Sequence, residues 1–190
     1  ELQKKILAES QNLPDPVEKQ LLEMLRQIEI HMTLRFWDAI AQEPSEETMK
    51  VKIEILKAAR DIRDEFFTLF FGLEMNGSQE IPTAWGDQFP NKSEFAPINR
   101  VKNTSDRGET LRFLNHCTNP HGESAPREPV TKYITKASSY LVGVLQNAGG
   151  NLGEHPEHVD EVSDHYVLVI IASALALVDQ IMSDINTTKS

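Results

Sequence analysis

The sequence predicts an all-α protein: a helical bundle of about five helices with a buried C-terminal central helix and a long aromatic-containing loop. Apolar residues recur at intervals of three and four over several long segments, which is the period of an amphipathic helix. No segment alternates apolar and polar residues over the length of a convincing strand. Apolar residues make up 39% of the chain and charged residues 25%, which is typical of globular proteins.

The length of 190 residues fits one domain with its own core. Residues 1–14 are expected to form a linker or a frayed helical end, because they precede the first clear helix start. Residues 15–190 are expected to form a single helical domain.

The first helix is predicted to begin at Asp15 and to run to about Ala41. Asp15 can cap the helix, and Pro16 suits the first helical position, where its missing N–H is not needed. The apolar stripe of this helix contains Val17, Leu21, Met24, Leu25, Ile28, Met32, Phe36 and Ile40.

The second helix is predicted to begin after Ser45, a good cap, and to end near Asn76 and Gly77, which suit a C-terminal cap. The short connection at residues 42–45 predicts that the first two helices form an antiparallel hairpin. Charged side chains in the middle of the second helix are typical of a solvated surface; they are Arg60, Asp61, Arg63, Asp64 and Glu65.

Residues 77–108 are predicted to form a long loop, because they contain three prolines and little periodicity. Large apolar residues are scattered through this segment. Aromatic side chains dominate the energetics of protein interfaces, so we expect Trp85, Phe89 and Phe95 to bind a partner.

Three further helices are predicted. One spans residues 106–117, one begins at Pro129 and stops at residues 148–150, and one begins at Pro156 and ends near Ile185. The last is apolar nearly all round between Tyr166 and Val178, which predicts that it lies at the centre of the bundle, surrounded by the other helices. This run of 13 residues is shorter than the 20 or so that cross a bilayer, so no membrane association is expected.

Charge and cysteine content limit the classes of partner and compartment. The net charge of −10 opposes binding to phosphate backbones, so DNA is not an expected partner. The single cysteine, Cys117, excludes an internal disulfide and favours an intracellular location, cytoplasmic or nuclear. It follows His116 directly in sequence, but no third group completes a catalytic set, so we interpret it as a buried structural residue.

Three of the six histidines lie between residues 153 and 165. Pro156 and the acids after it are explained by the start of a helix, since carboxylates stabilise a helix N-terminus. On a continuous helix His158, Glu161 and His165 would share one face, and two imidazoles with a carboxylate suit zinc or ferrous iron. These three residues are therefore candidate metal ligands.

The segment from Arg26 to His31 has an arginine and a histidine separated by four residues. This spacing resembles the catalytic motif of the higher-eukaryote and prokaryote nucleotide-binding (HEPN) ribonucleases, which are small helical bundles that dimerise over RNA. The resemblance implies a ribonuclease with Arg26 and His31 as catalytic residues. Five helical steps place these two side chains about 140° apart on a regular helix.

Taken together, the residues favour a non-catalytic protein-interaction or regulatory domain. The expected partner is another protein or a second copy of this chain, and no cofactor is expected. The alternatives are a HEPN-like ribonuclease, for which RNA would be the substrate, and a metal-binding helical enzyme. The sequence contains no assembled catalytic set. It therefore does not decide whether the protein is an enzyme.

Overall fold

The computed structural model describes residues 15–28, 36–37, 45–78, 107–118, 130–152, 158 and 162–188. They contain five α-helices: α1 (Asp15–Gln27), α2 (Glu46–Leu73), α3 (Arg107–Thr118), α4 (Lys136–Gln146) and α5 (Asp164–Thr188). A π-helical segment, Asn147–Leu152, follows α4. No strand occurs in these ranges, and the all-α class is confirmed. Most of the loop predicted for residues 77–108 lies outside them.

The chain divides into two compact units. One comprises the described parts of Glu1–Phe66 and Leu141–Met182, and the other those of Phe67–Tyr140 and Ser183–Ser190. Helices α2, α4 and α5 each contribute residues to both units. The single domain expected for residues 15–190 remains a prediction.

In the first unit, α1 begins at Asp15 as predicted. Its core-facing positions follow the predicted stripe, because the buried residues are Leu21, Met24, Leu25 and Ile28. Gln20 of α1 donates a hydrogen bond to the Glu65 carboxylate of α2. The continuation of this helix to Ala41 falls mostly outside the described residues.

Ser45 caps α2, as the sequence predicted. The backbone N–H of Thr48 donates to Ser45 Oγ at 3.3 Å, and the Ser45 N–H donates to Thr48 Oγ1 at 2.9 Å. This reciprocal pair satisfies two N–H groups that a helix N-terminus otherwise leaves without partners.

The interpretation of the charged residues of α2 as a solvated surface is wrong for Arg63, whose residue surface is only 7% exposed. Its guanidinium donates to Asp64 Oδ1 at 2.8 and 3.0 Å and to the side-chain oxygen of Gln146 at 3.0 Å. A buried charge needs such partners, since the desolvation cost is otherwise uncompensated. Sequence spacing alone did not predict the contribution from Gln146, 83 positions away.

The π-helical segment packs its backbone directly against α2 in the first unit. A Cβ atom at Gly149 would lie 2.5 Å from the backbone N of Arg60 and 2.7 Å from its Cα. Only glycine fits a contact of this kind, because backbone atoms cannot rotate away as a side chain can. The predicted stop of the helix at residues 148–150 corresponds to this change from α-helical to π-helical geometry.

In the second unit, α2 ends at Leu73. Asn76 and Gly77 follow with left-handed backbone angles, φ 50° and φ 79°, and the Gly77 N–H donates to the Phe71 carbonyl at 2.6 Å. This confirms the predicted cap, since glycine and asparagine are the residues that tolerate this conformation best.

Helix α4 begins at Lys136, so the start predicted at Pro129 is wrong. The N–H groups of residues 132–134 donate to the Glu74 carboxylate at 2.5 to 3.0 Å. An α-helix starting at Pro129 would direct two of those N–H groups to its own carbonyls instead. The carboxylate at the end of α2 therefore holds this segment outside the helix.

A second carboxylate, that of Asp184 in α5, completes the N-terminus of α4. Asp184 Oδ2 accepts from the Thr135 hydroxyl and the Ser138 hydroxyl, each at 3.0 Å, and from the Thr135 N–H at 3.3 Å. Asp184 is buried. Negative charge at this end of a helix is stabilising, because the dipole is positive there.

Aromatic and aliphatic side chains fill the core of the second unit. The rings of Phe67 and Phe71 stack with centroids 6.4 Å apart, and the ring of Phe70 lies 5.7 Å from that of Phe71. Ser139 of α4 donates a hydrogen bond to the Asn115 side chain of α3. Helix α3 spans almost the range predicted for it, and its buried residues are Thr110, Phe113, Leu114, Cys117 and Thr118.

We predict that Gly149→Ala lowers the free energy of unfolding by about 1–3 kcal/mol, because the added methyl group overlaps the Arg60 backbone. Gly72→Ala is the matched control. A Cβ at Gly72 meets nothing within 4 Å, and this substitution in a helix is expected to stabilise by about 0.5–1 kcal/mol. Urea unfolding followed by circular dichroism measures both, and equal effects would contradict the close approach.

We also predict that Asp184→Ala lowers the free energy of unfolding by about 1–3 kcal/mol, since it removes a buried acceptor that the Thr135 and Ser138 hydroxyls share. Asp61→Ala, which removes an exposed carboxylate 3.7 Å from Arg60, is expected to change it by less than about 0.5 kcal/mol. The same unfolding measurement applies. A loss for Asp61→Ala as large as that for Asp184→Ala would exclude the capping role.

Candidate interaction surface

Helix α5 begins at Asp164, and the start predicted at Pro156 is wrong. Ser163 Oγ accepts from the Tyr166 N–H at 3.2 Å, so serine provides the cap. Just before it, the Lys52 ammonium of α2 donates to the Val162 carbonyl at 3.0 Å and pairs with Asp164 at 2.7 Å. This lysine fixes where α5 begins in the first unit.

One face of α5 is buried and the other is apolar but exposed. The buried face contains Val167, Ile170, Ile171, Ala174, Leu177, Val178, Ile181 and Met182. Opposite it, Leu168 is 38% and Val169 53% exposed. The next exposed positions along this face are Ala172 and Ala176. We call these four residues the α5 stripe: Leu168, Val169, Ala172 and Ala176.

The α5 stripe modifies the expectation drawn from the apolar run between Tyr166 and Val178. The helix has the predicted buried face, but it is not surrounded on all sides. The signal was present in the sequence, because His165 and Asp179, which flank the run, lie in phase with the exposed positions. Between these two residues the exposed face of α5 is apolar, whereas the exposed face of a solvated helix is usually polar.

Spacing along the exposed face follows the pattern of a helix-pairing seam. His165, Val169, Ala172, Ala176 and Asp179 are separated by four, three, four and three residues. This alternation averages 3.5 residues, which keeps one line of side chains facing a neighbouring helix. Leu168 to Ala176 covers about 12 Å at 1.5 Å per residue.

Helix α5 also has the length and composition of a membrane span. Over Asp164–Thr187, 24 residues, its best window reaches a mean hydropathy of 1.9, although half of that window is buried within the protein. A core helix has the same composition, and the buried face identified above gives α5 that role. Within the described residues it is the one helix with these properties.

Two more large apolar side chains are exposed among the described residues. Trp37, in the first unit, is 57% exposed and its ring meets that of buried Phe36 edge-on, with centroids 5.7 Å apart. Tyr140, in the second unit, is 62% exposed with the Lys136 ammonium 5.7 Å from its ring centre. Helix periodicity over residues 130–145 predicts an inward position for Tyr140, and this prediction is wrong. The buried residues of α4 are Ser138, Ser139, Val142 and Leu145.

The candidate metal ligands are only partly placed. His158 and His165 are both exposed, and Glu161 lies outside the described residues. The argument for a shared face assumed one helix from Pro156 to His165, whereas α5 begins at Asp164, after His158. In the part of the chain that the structure describes, no group of three potential ligands is arranged to hold a metal ion.

One of the two residues of the ribonuclease-like motif, Arg26, lies within the described residues. Arg26 is exposed near the end of α1, where its guanidinium bonds to the Glu23 carboxylate at 3.1 Å. Hydrogen bonds from Arg26 and Gln27 lower the pKa of Glu23. His31 lies outside the described residues, and so do the predicted partner-binding residues Trp85, Phe89 and Phe95.

Cys117 is buried, as the sequence interpretation had it. Burial raises the pKa of its thiol well above the usual range, and the nearby Glu74 carboxylate raises it further. The reactive form of cysteine is the thiolate, so these surroundings make Cys117 unreactive. The pKa of Glu74 is also raised, because burial is the largest effect on it. The three N–H groups that bind its carboxylate lower the pKa by less than burial raises it.

Comparison of the chain with protein-family models, curated proteins and solved structures gave no match.

We predict that Glu74 makes stability depend on pH. Because its pKa is raised in the folded state, folding binds this proton more tightly, and its contribution is fully present below the unfolded pKa. That contribution is lost as pH rises from about 4 through the raised value. Glu74→Gln is expected to remove this part of the pH profile of the unfolding free energy, whereas Glu54→Gln, an exposed change in α2, should retain it. Identical profiles for all three proteins would refute the prediction.

Proposed function

We propose that this protein is a non-catalytic interaction module that binds a protein partner through the α5 stripe. The observation that supports the proposal is the exposure of Leu168 and Val169 on a helix whose opposite face is already buried. Apolar patches with polar borders are typical of interaction sites. His165 and Asp179 form those borders here.

Comparison of two helices in the same unit supports this interpretation. The exposed positions of α2 within Glu46–Phe66 are polar or charged, namely Glu46, Glu47, Lys50, Glu54, Lys57 and Asp61. Those of α5 between residues 168 and 176 are all apolar. Apolar surface in water costs about 25 cal/mol per Å², and a partner that covers it recovers this free energy.

The α5 stripe is also held in a defined position before any partner arrives. Ser163 caps the helix, and Lys52 fixes its first turn through Val162 and Asp164. A preformed surface loses little conformational freedom on binding. A helix with an apolar seam of this spacing fits a second amphipathic helix best.

The aromatic residues Trp85, Phe89 and Phe95 remain proposed contributors to binding. They lie outside the described residues, so the proposal depends on the α5 stripe alone. An intracellular location also remains part of the proposal, and its basis is the cysteine content of the chain. A regulatory role remains proposed because the sequence has no assembled catalytic set.

Photo-crosslinking tests this function. With benzoyl-phenylalanine in place of Val169, irradiation of cells that express the protein is expected to give a covalent adduct with a protein. The matched control carries the same group in place of Lys57, an exposed position of α2 in the same unit. An adduct specific to position 169 supports the proposal, whereas no protein adduct, or the same adducts from both positions, overturns it.

A further inference from the structure

We infer that the partner of the α5 stripe is a second copy of this chain, with the two α5 helices antiparallel about a two-fold axis at Ala172. The inference rests on the proposed function, since it requires the stripe to bind protein. Its basis is that the stripe is complementary to itself in one orientation only. Homodimers of this symmetry use the same patch on both copies.

The sizes of the side chains favour the antiparallel arrangement. Leu168 lies four residues before Ala172, and Ala176 lies four residues after it. Antiparallel pairing about Ala172 therefore places each leucine opposite the small Ala176 of the other copy, so the contact is filled evenly. Parallel pairing would oppose the two leucines at one end and two alanines at the other, which leaves a gap.

The polar residues at the borders of the stripe have the same symmetry. His165 lies seven residues before Ala172, and Asp179 lies seven residues after it. Antiparallel helices bring each imidazole opposite the carboxylate of the other copy, so the favourable pair occurs twice. Parallel helices would bring like groups together, and opposing carboxylates repel.

Ala172 itself permits the close approach that the contact needs. An alanine at the crossing point lets helix axes come within about 8 Å, the short end of the usual range. One helix face buries less surface than the roughly 1,200 Å² of a standard interface, so the dimer is expected to be weak, with a dissociation constant on the order of 10 μM. The charge of −10 on each copy adds repulsion, which salt at 0.15 M screens beyond about 8 Å.

Sedimentation velocity of the purified chain at physiological salt, from about 1 to about 300 μM, tests for the dimer. The expected result is a concentration-dependent change from one chain to two. Ala172→Glu places two carboxylates at the two-fold axis and is expected to raise the dissociation constant at least tenfold, whereas Lys57→Glu should leave it within about twofold. Circular dichroism confirms that each variant is folded.

Cysteine pairing tests the orientation. A disulfide requires Cα atoms within about 7 Å, so antiparallel helices predict crosslinks when Leu168→Cys chains are mixed with Ala176→Cys chains. Neither variant alone should crosslink to itself under mild oxidation. The native Cys117 is buried and does not interfere. Crosslinks within each single variant, rather than in the mixture, would show parallel helices and overturn the inference.

The failure of this inference can be separated from that of the proposed function. A chain that stays monomeric at all concentrations, or a dimer that Ala172→Glu leaves intact, overturns the antiparallel pair. If position 169 then crosslinks to a different protein, the proposed function stands without it. If it gives no protein adduct and the chain instead sediments with phosphatidylcholine vesicles in a manner that Val169→Asp abolishes, both are overturned.

Discussion

The backbone contact between Gly149 and Arg60 constrains the first unit more tightly than any other described approach. It brings the π-helical segment against α2 with no side chain between them. Helix α2 also receives Gln20 from α1, Gln146 from α4, and Val162 and Asp164 through its Lys52. These contacts fall between residues 52 and 65 of α2, so that one stretch of helix sets the positions of its neighbours.

Carboxylates serve as helix-positioning groups in the second unit. Glu74 binds three successive N–H groups before α4, and Asp184 binds the first turn of the same helix. Each carboxylate is at least 46 residues from the groups it binds. A helix terminus has donors that need acceptors, and here they are supplied by side chains of other helices. The polar contacts therefore select how the elements meet, while the apolar side chains supply the burial.

The sequence predicted those features that depend on neighbouring residues. The starts of α1 and α2, the cap at Asn76 and Gly77, and the extent of α3 all follow from local signals. The sequence did not predict the starts of α4 and α5. Those starts depend on contacts with Glu74, Asp184 and Lys52, which lie far away in sequence. The α5 stripe was missed for a related reason: an apolar residue is the same letter whether it is covered or exposed. Only the polar residues that flank the run, His165 and Asp179, mark the phase of the exposed face.

The position of Cys117 gives the second unit an internal kinetic reporter. It is the chain's single cysteine, and its thiol becomes reactive only when the surroundings open. Under native conditions the rate of its modification therefore reports the equilibrium population of open forms of that unit, as amide hydrogen exchange does for backbone groups. The first unit has no thiol and stays silent in such an experiment. Local opening of one half of the protein can thus be followed without labelling the other.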